Sequence, residues 1–214
     1  MHEEAHRRIE ELIVTLELAP GSVVSEAILG TMLAIGTTPI REALQRLARE
    51  HLVRILPRRG VIVTAIDVAQ QLQVLELRRE LDKLIARAAT RRATASERAA
   101  IAALAKAMKR ATKAGDVREF LRLDAQLNAA AAQAARNDIA AQTVATLHSV
   151  SRRFWFFHHD EDRGWDGTMR LHAALAEAIS SGDEARAAAA SDRLIDDLFA
   201  FARGTLPQHA ATLA

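Results

Sequence analysis

Apolar residues recur at helical spacing along most of this chain, and in one place only they give way to short strand-like runs. Ile9, Leu12, Ile13 and Leu16 mark a first helix over His6–Leu18, ended by Pro20-Gly21. Ile28, Leu29, Met32 and Leu33 mark a second, which opens near Ser25-Glu26. Ala34-Ile35-Gly36-Thr37 reads as a turn. Thr38 can then cap the free amides of a third helix, and Pro39 fits its first position, where no backbone donor is required. Within that helix Ile40, Ala43, Leu44 and Leu47 form one stripe and pack inward. Leu52–Leu56 and Val61–Thr64 follow as short strands, joined by Pro57-Arg58-Arg59-Gly60 as a hairpin turn.

Beyond Ile66-Asp67 the period stays helical to the end. Helices are expected over 68–92, 95–113, 116–135, 138–157, 166–181 and 184–203. The breaks coincide with cap or turn signals: Thr94-Ala95-Ser96-Glu97, Gly115-Asp116, Asn137-Asp138 and Gly182-Asp183. Short loops between several helices imply an antiparallel bundle. The expected fold is therefore mainly α, with three helices and a β-hairpin wing (a winged helix-turn-helix) over 1–66, an all-helical antiparallel bundle over 67–207 and a tail over 208–214.

Composition agrees with that reading. The 214 residues include six Phe, two Trp and no Tyr, and few aromatics favour helices over a sheet sandwich. Cysteine is absent, which removes disulfides and thiolate metal sites and suits a cytoplasmic protein. No apolar run approaches the roughly 18 residues needed to span a bilayer, and the His-Glu-Glu-Ala start lacks a signal-peptide profile. The expectation is a soluble intracellular protein with no membrane partner. A net charge of +2 is too small to argue for nucleic acid, so any such argument rests on where the cations sit. Arg41, Arg46, Arg49, Arg54, Arg58 and Arg59 are crowded into one short stretch, opposed only by Glu42 and Glu50.

On the third helix Thr38, Arg41, Gln45 and Arg49 share the face opposite the apolar stripe. Arg bonds phosphate or guanine edges, Gln reads adenine, and Thr bonds phosphate or packs on the thymine methyl. A solvated helix face is the competing reading. The basic hairpin that follows at once tips the balance, because the helix would enter a major groove while Arg58 or Arg59 reached the backbone or minor groove.

Ser25-Glu26, Leu29, Leu33, Thr38-Pro39-Ile40-Arg41-Glu42-Ala43-Leu44, Arg46-Leu47, Leu52-Val53 and Pro57-Arg58-Arg59-Gly60-Val61 together resemble the DNA-binding domain of GntR-type transcriptional regulators, in register over about 60 residues. The resemblance implies DNA contacts from Thr37, Thr38, Arg41, Gln45, Arg46, Arg49, Arg58, Arg59 and Gly60. The chain departs from the family pattern at Ala27 and Thr37, where Arg is usual, and at His51, where a small residue is usual. The second half is similar to the all-helical effector domain (FCD type) of the FadR-like branch, through Arg78–Asp82, Asp124, Asn137, His172 and Asp183.

That second resemblance implies a pocket holding a small effector, an organic acid, with Arg78, Asp124, Asn128, Arg152, Arg153 and His172 as candidate contacts. In many relatives the pocket binds a divalent metal, zinc or nickel, through an Asp, a His one turn later and two further His. Here those positions hold Asp124, Asn128, His172 and Leu194. Asp124 and His172 remain as candidate metal ligands, and ligand counting favours an empty or altered site. A simple Asp–His or Asp–Asn hydrogen bond in the core is the competing reading.

Arg152-Arg153-Phe154-Trp155-Phe156-Phe157-His158-His159 is the chain's aromatic cluster. It reads either as core and interface packing or as a site where Arg152 or Arg153 turns into the bundle toward an effector carboxylate. His158 through Asp162 reads as a solvated helix end. The functional expectation is a dimeric, sequence-specific regulator, a repressor controlled by a metabolite, with a duplex DNA operator and a second copy of itself as partners and no catalytic residues. Its alternatives are an architectural DNA-binding protein without effector, or a metal-assisted hydrolase built on Asp124, Asn128 and His172.

Overall fold

The computed structural model describes residues 2–56, 60–159 and 166–206. They fall into two compact units, one of Met1–Asp67 with Thr146–Phe157, the other of Val68–Ala145 with His158–Ala214. Among the described residues there are nine helices and one three-stranded sheet.

The first unit opens with α1 (His2–Val14), which buries Ile9 and Ile13 fully. The helix stops short of the expected Leu18. Leu16 takes a left-handed φ of 62° and the Thr15 hydroxyl donates back to Glu11 O at 2.8 Å, so the turn is made before Pro20 is reached. A two-residue strand, β1 (Val23–Val24), leads to α2 (Glu26–Leu33), whose N-cap Ser25 accepts from the Ile28 amide at 3.1 Å. Only Leu29 and Leu33 of its four expected apolar positions are buried; Ile28 and Met32 lie on the exposed side.

The third helix, α3 (Thr37–Arg49), starts one turn position earlier than expected. Its N-cap is Gly36, which has no side chain to bond, so Thr38 sits inside the helix and Pro39 third in it, still among the first amides that need no partner. Ile40, Ala43, Leu44 and Leu47 are all buried, and α1 packs against this helix. One buried polar contact reinforces the packing, between His6 Nε2 of α1 and Glu50 Oε2 at the end of α3, at 2.8 Å.

The wing is β2 (Val53–Leu56) and β3 (Gly60–Val63), antiparallel, with Val53 opposite Val63 and Leu56 opposite Gly60. β3 lies between β2 and β1. β1 escapes a sequence reading because two residues carry no period.

The second unit holds α4 (Val68–Arg92), α5 (Ala95–Ala114), α6 (Val117–Ala134), the first part of α7 (Asp138–His158), α8 (Asp166–Ser181) and α9 (Glu184–Gly204). Every expected break is a working cap. Thr94 and Glu97 form a reciprocal capping box, Asp116 and Asp183 cap with their side chains, Gly115 is left-handed, and Asn137 Oδ1 accepts from Ala140 N at 3.1 Å. Ion pairs run down α4 as they run up α9: Arg79–Asp196 at 2.6 Å, Lys83–Asp192 at 2.7 Å and Arg87–Glu184 at 2.9 Å. The two helices are therefore antiparallel. No helix among the described residues is long and apolar enough to cross a membrane.

One local strain has a measurable consequence. α3 ends in a Schellman motif, with the Leu52 amide donating to Leu47 O at 3.0 Å and the His51 amide to Ala48 O at 3.2 Å. His51 holds the left-handed position at φ 60°, a conformation glycine adopts without steric cost. His51→Gly is expected to stabilise the protein by about 0.5–1 kcal/mol. Chemical denaturation measures it, with an unchanged slope and a higher midpoint as the expected result.

Candidate nucleic-acid interface and the buried polar sites

With its stripe buried, α3 presents Thr37, Thr38, Arg41, Gln45 and Arg49 on its exposed side. Arg41, 60% exposed, forks onto Glu26 of α2: Nε donates to both carboxylate oxygens at 3.0 and 3.1 Å, and Nη2 donates to Oε2 at 2.8 Å. The fork lowers the Glu26 carboxyl and raises the Arg41 guanidinium, hydrogen bonding being the larger cause for each. At this exposure such a pair is weak and exchangeable. It holds Arg41 extended in front of α2 and α3 until a phosphate or a guanine edge competes for it.

Arg46 stands apart from that set. It is half-buried and bonded to Glu50 at 3.0 Å and to Glu3 of α1 at 3.2 Å, on the flank that faces α1. Its expected place among the DNA contacts is corrected accordingly. Gly60 opens β3 at φ 96°, and a Cβ there would lie 3.0 Å from Val24 O, so only glycine lets the hairpin pass this close to β1. The turn cations Arg58 and Arg59 lie outside the described residues.

Arg152 and Arg153 also differ from expectation. Neither guanidinium turns into the helical bundle as an effector ligand. Arg152 Nη2 bonds Glu10 Oε1 of α1, and Ser149 Oγ donates to the same oxygen at 2.5 Å. Arg153 is 1% exposed and donates to Thr64 O at 3.1 Å, Thr64 Oγ1 at 3.0 Å, and Leu52 O and Ala65 O at 3.4 Å. Desolvation pushes this guanidinium down to about 10, still cationic at neutral pH. Both residues belong with the first unit because α7 lends it Thr146–Phe157. A signal for this was available, since Arg153 sits on the buried stripe of Val150 and Phe154 at helical spacing.

In the second unit Asp124 of α6 is 2% exposed. Its Oδ1 lies 2.8 Å from His172 Nδ1 of α8, and its Oδ2 accepts from Asn128 Nδ2 at 3.2 Å. The Phe120 ring meets His172 edge-on, with centroids 5.4 Å apart. Arg78 of α4, also buried, forks onto Asp82 within the same helix through Nε at 3.0 Å and Nη2 at 2.8 Å. The donor set does not fit a zinc or nickel ion. Asp124 and His172 already bond each other, Asn128 turns an amide N–H toward the carboxylate, and the fourth position is the buried apolar Leu194. Among the described residues no group of three or more His, Cys, Asp or Glu gathers.

A profile described as "Bacterial regulatory proteins, gntR family" matches residues 1–63, and one described as "FCD domain" matches residues 73–197. The chain belongs to the gntR family and carries an FCD domain. As a gntR regulator it is a DNA-binding protein of transcription control, and its α2–α3 pair with the β2–β3 hairpin is the helix-turn-helix and wing of that family. Over 183 residues, 86% of this chain and 80% of the relative, it is 24% identical to the HTH-type transcriptional repressor RspR of Escherichia coli (strain K12). A 67-residue stretch, 31% of this chain, is 37% identical to an uncharacterized HTH-type transcriptional regulator in an unstable DNA locus of Streptomyces ambofaciens, of which it spans 28%. In fold the chain is similar to E. coli McbR/YncC, with a TM-score of 0.79 at 16% identity, covering 95% of this chain and 97% of that one. The relatives are named as transcriptional regulators, which points away from an enzyme.

Two predictions come from these contacts. Glu26→Gln removes the carboxylate that competes with DNA for Arg41, so binding to any duplex should tighten several-fold at low salt, read by fluorescence anisotropy; unchanged affinity would mean the pair is irrelevant to binding. Glu10 behaves differently because it is shielded. Burial acts to raise its carboxyl, but the Arg152 charge and the Ser149 hydroxyl outweigh it, and the net shift is downward from 4.5. A carboxyl lowered in the folded state stabilises above its unfolded value and loses that contribution as pH falls through the folded one. Glu10→Gln should therefore lower the melting temperature by several degrees at neutral pH and by almost nothing near pH 3, which paired thermal melts would check.

Proposed function

We propose that this protein is a homodimeric repressor that binds a pseudo-palindromic operator and is released, or tightened, by a small organic acid bound in its C-terminal helical unit. The observation that carries the reading is the outward face of α3, where Thr38, Arg41, Gln45 and Arg49 stand exposed beside a glycine-hinged wing while the opposite stripe is buried. Phosphate contacts would fix the helix in the groove and Arg41 and Gln45 would read base edges. Two copies related by a two-fold axis would engage two half-sites about one helical turn apart. The name of RspR as a repressor supports the sign of regulation.

The effector reading is supported by buried polar groups on apolar helices. Asp124, His172 and Asn128 form one hydrogen-bonded set and Arg78 with Asp82 another, both inside an otherwise apolar bundle. An acid that offered Arg78 a carboxylate would compete with Asp82 for the same fork. Coupling of only about 1–3 kcal/mol between such a site and the operator changes affinity 5- to 150-fold.

The test uses full-length protein against duplex fragments tiled across the flanks of its own gene, with a panel of organic acids screened by thermal shift. Arg41→Ala should lose roughly 1–3 kcal/mol of preference for the operator over other duplexes. His172→Ala should bind the operator as the parent does and no longer respond to the acid that shifts the parent. A parent that covers all fragments alike with a steep salt dependence would be an architectural protein instead, and an Arg41→Ala variant with undiminished preference would overturn the assignment of α3.

A further inference from the structure

Arg153 is the largest fully buried side chain among the described residues. A guanidinium so deeply buried ordinarily carries a carboxylate partner. This one bonds only neutral oxygens, and its Nε finds no partner among the described residues. The position of those oxygens is informative. Leu52 immediately precedes β2, and Thr64 and Ala65 immediately follow β3, so all four acceptors lie where the wing leaves and rejoins the body of the unit.

We propose that Arg153 is the positioning residue of the wing. From the second half of α7 it clasps the two legs of the hairpin at their root, which makes Thr146–Phe157 a working part of the DNA-reading unit.

Three features of the geometry support this. The legs are already tied to each other at that level, the Thr64 amide donating to Leu52 O at 3.0 Å and the Thr64 hydroxyl to His51 O at 2.7 Å. Arg153 adds the tie from outside the hairpin, which decides where the joined legs point. The planar fork also suits the task, because its two terminal nitrogens reach acceptors on both legs at once, whereas a lysine has a single nitrogen. Finally, the helix that carries Arg153 is itself anchored one residue earlier, by Arg152 and Ser149 on Glu10 of α1. α1 packs on α3, so the same frame holds the reading helix and the root of the wing.

The inference rests on DNA binding by the first unit and not on any effector. It is tested in the full-length protein by anisotropy titrations of a preferred duplex over a range of salt. Arg153→Met fills the volume without donating. It should keep the parent's helix content and solution mass, lose about ten-fold in operator affinity, and show a salt slope shallower by about one phosphate contact as the wing cations leave register. Arg153→Lys should recover part of the loss. Thr64→Val should lose affinity in the same direction by less, and the double variant Arg153→Met, Thr64→Val should be no worse than Arg153→Met alone.

A folded Arg153→Met protein with the parent's affinity and slope would overturn the proposal, as would losses from the two sites that simply add. Should Arg153→Met fail to fold, parent-like affinity and slope in both Arg153→Lys and Thr64→Val would overturn it equally. A parent that binds no duplex is a separate outcome, and it would overturn the DNA-binding reading beneath the inference.

Discussion

The burial of four side chains on α3 governs what this protein can present to DNA. Ile40, Ala43, Leu44 and Leu47 are all but removed from water, beneath an α1 whose Ile9 and Ile13 are fully enclosed. Each large aliphatic side chain so buried contributes roughly 1.5–3 kcal/mol, and no rotation of the helix could keep that gain. The outward direction of Thr38, Arg41, Gln45 and Arg49 is therefore a consequence of the core. The buried His6–Glu50 bond guards the same orientation, since breaking one partner would strand the other away from water.

Most of this architecture could be read from residue order. Helix limits in the second unit coincide with side-chain caps because a cap is local: Thr94 and Glu97, or Asp183 and the amide of Arg186, lie within one turn of each other. The reading failed where local chemistry was not the deciding force. Thr38 looked like a cap, yet the chain begins the helix at Thr37 with Gly36 in the cap position. Arg46 looked like a reader of DNA, and two carboxylates, one of them 43 positions away in sequence, hold it against α1. Arg153 was the least legible. Three of its four acceptors are backbone carbonyls, which every residue possesses and no side-chain pattern announces.

The polar cluster of the second unit illustrates how the loss of two ligands can be absorbed. Where a metal would bring four donors together, Asp124, His172 and Asn128 satisfy one another through protons, and Leu194 completes the wall with hydrocarbon. A buried carboxylate bonded on both oxygens is not an exposed charge awaiting a cation. Any ligand recognised here has to displace or extend hydrogen bonds among these side chains, and Arg78 with Asp82 offers a second place where that exchange can occur.

Chemical probing of guanine N7 on a preferred duplex tests the central claim most directly, because N7 lies in the major groove that α3 is held to enter. The account predicts guanines protected in two major-groove segments about one helical turn apart, with the protection lost in Arg41→Ala. Phosphate protection without any protected N7 would contradict it, since the protein would then grip the backbone while α3 stood outside the groove.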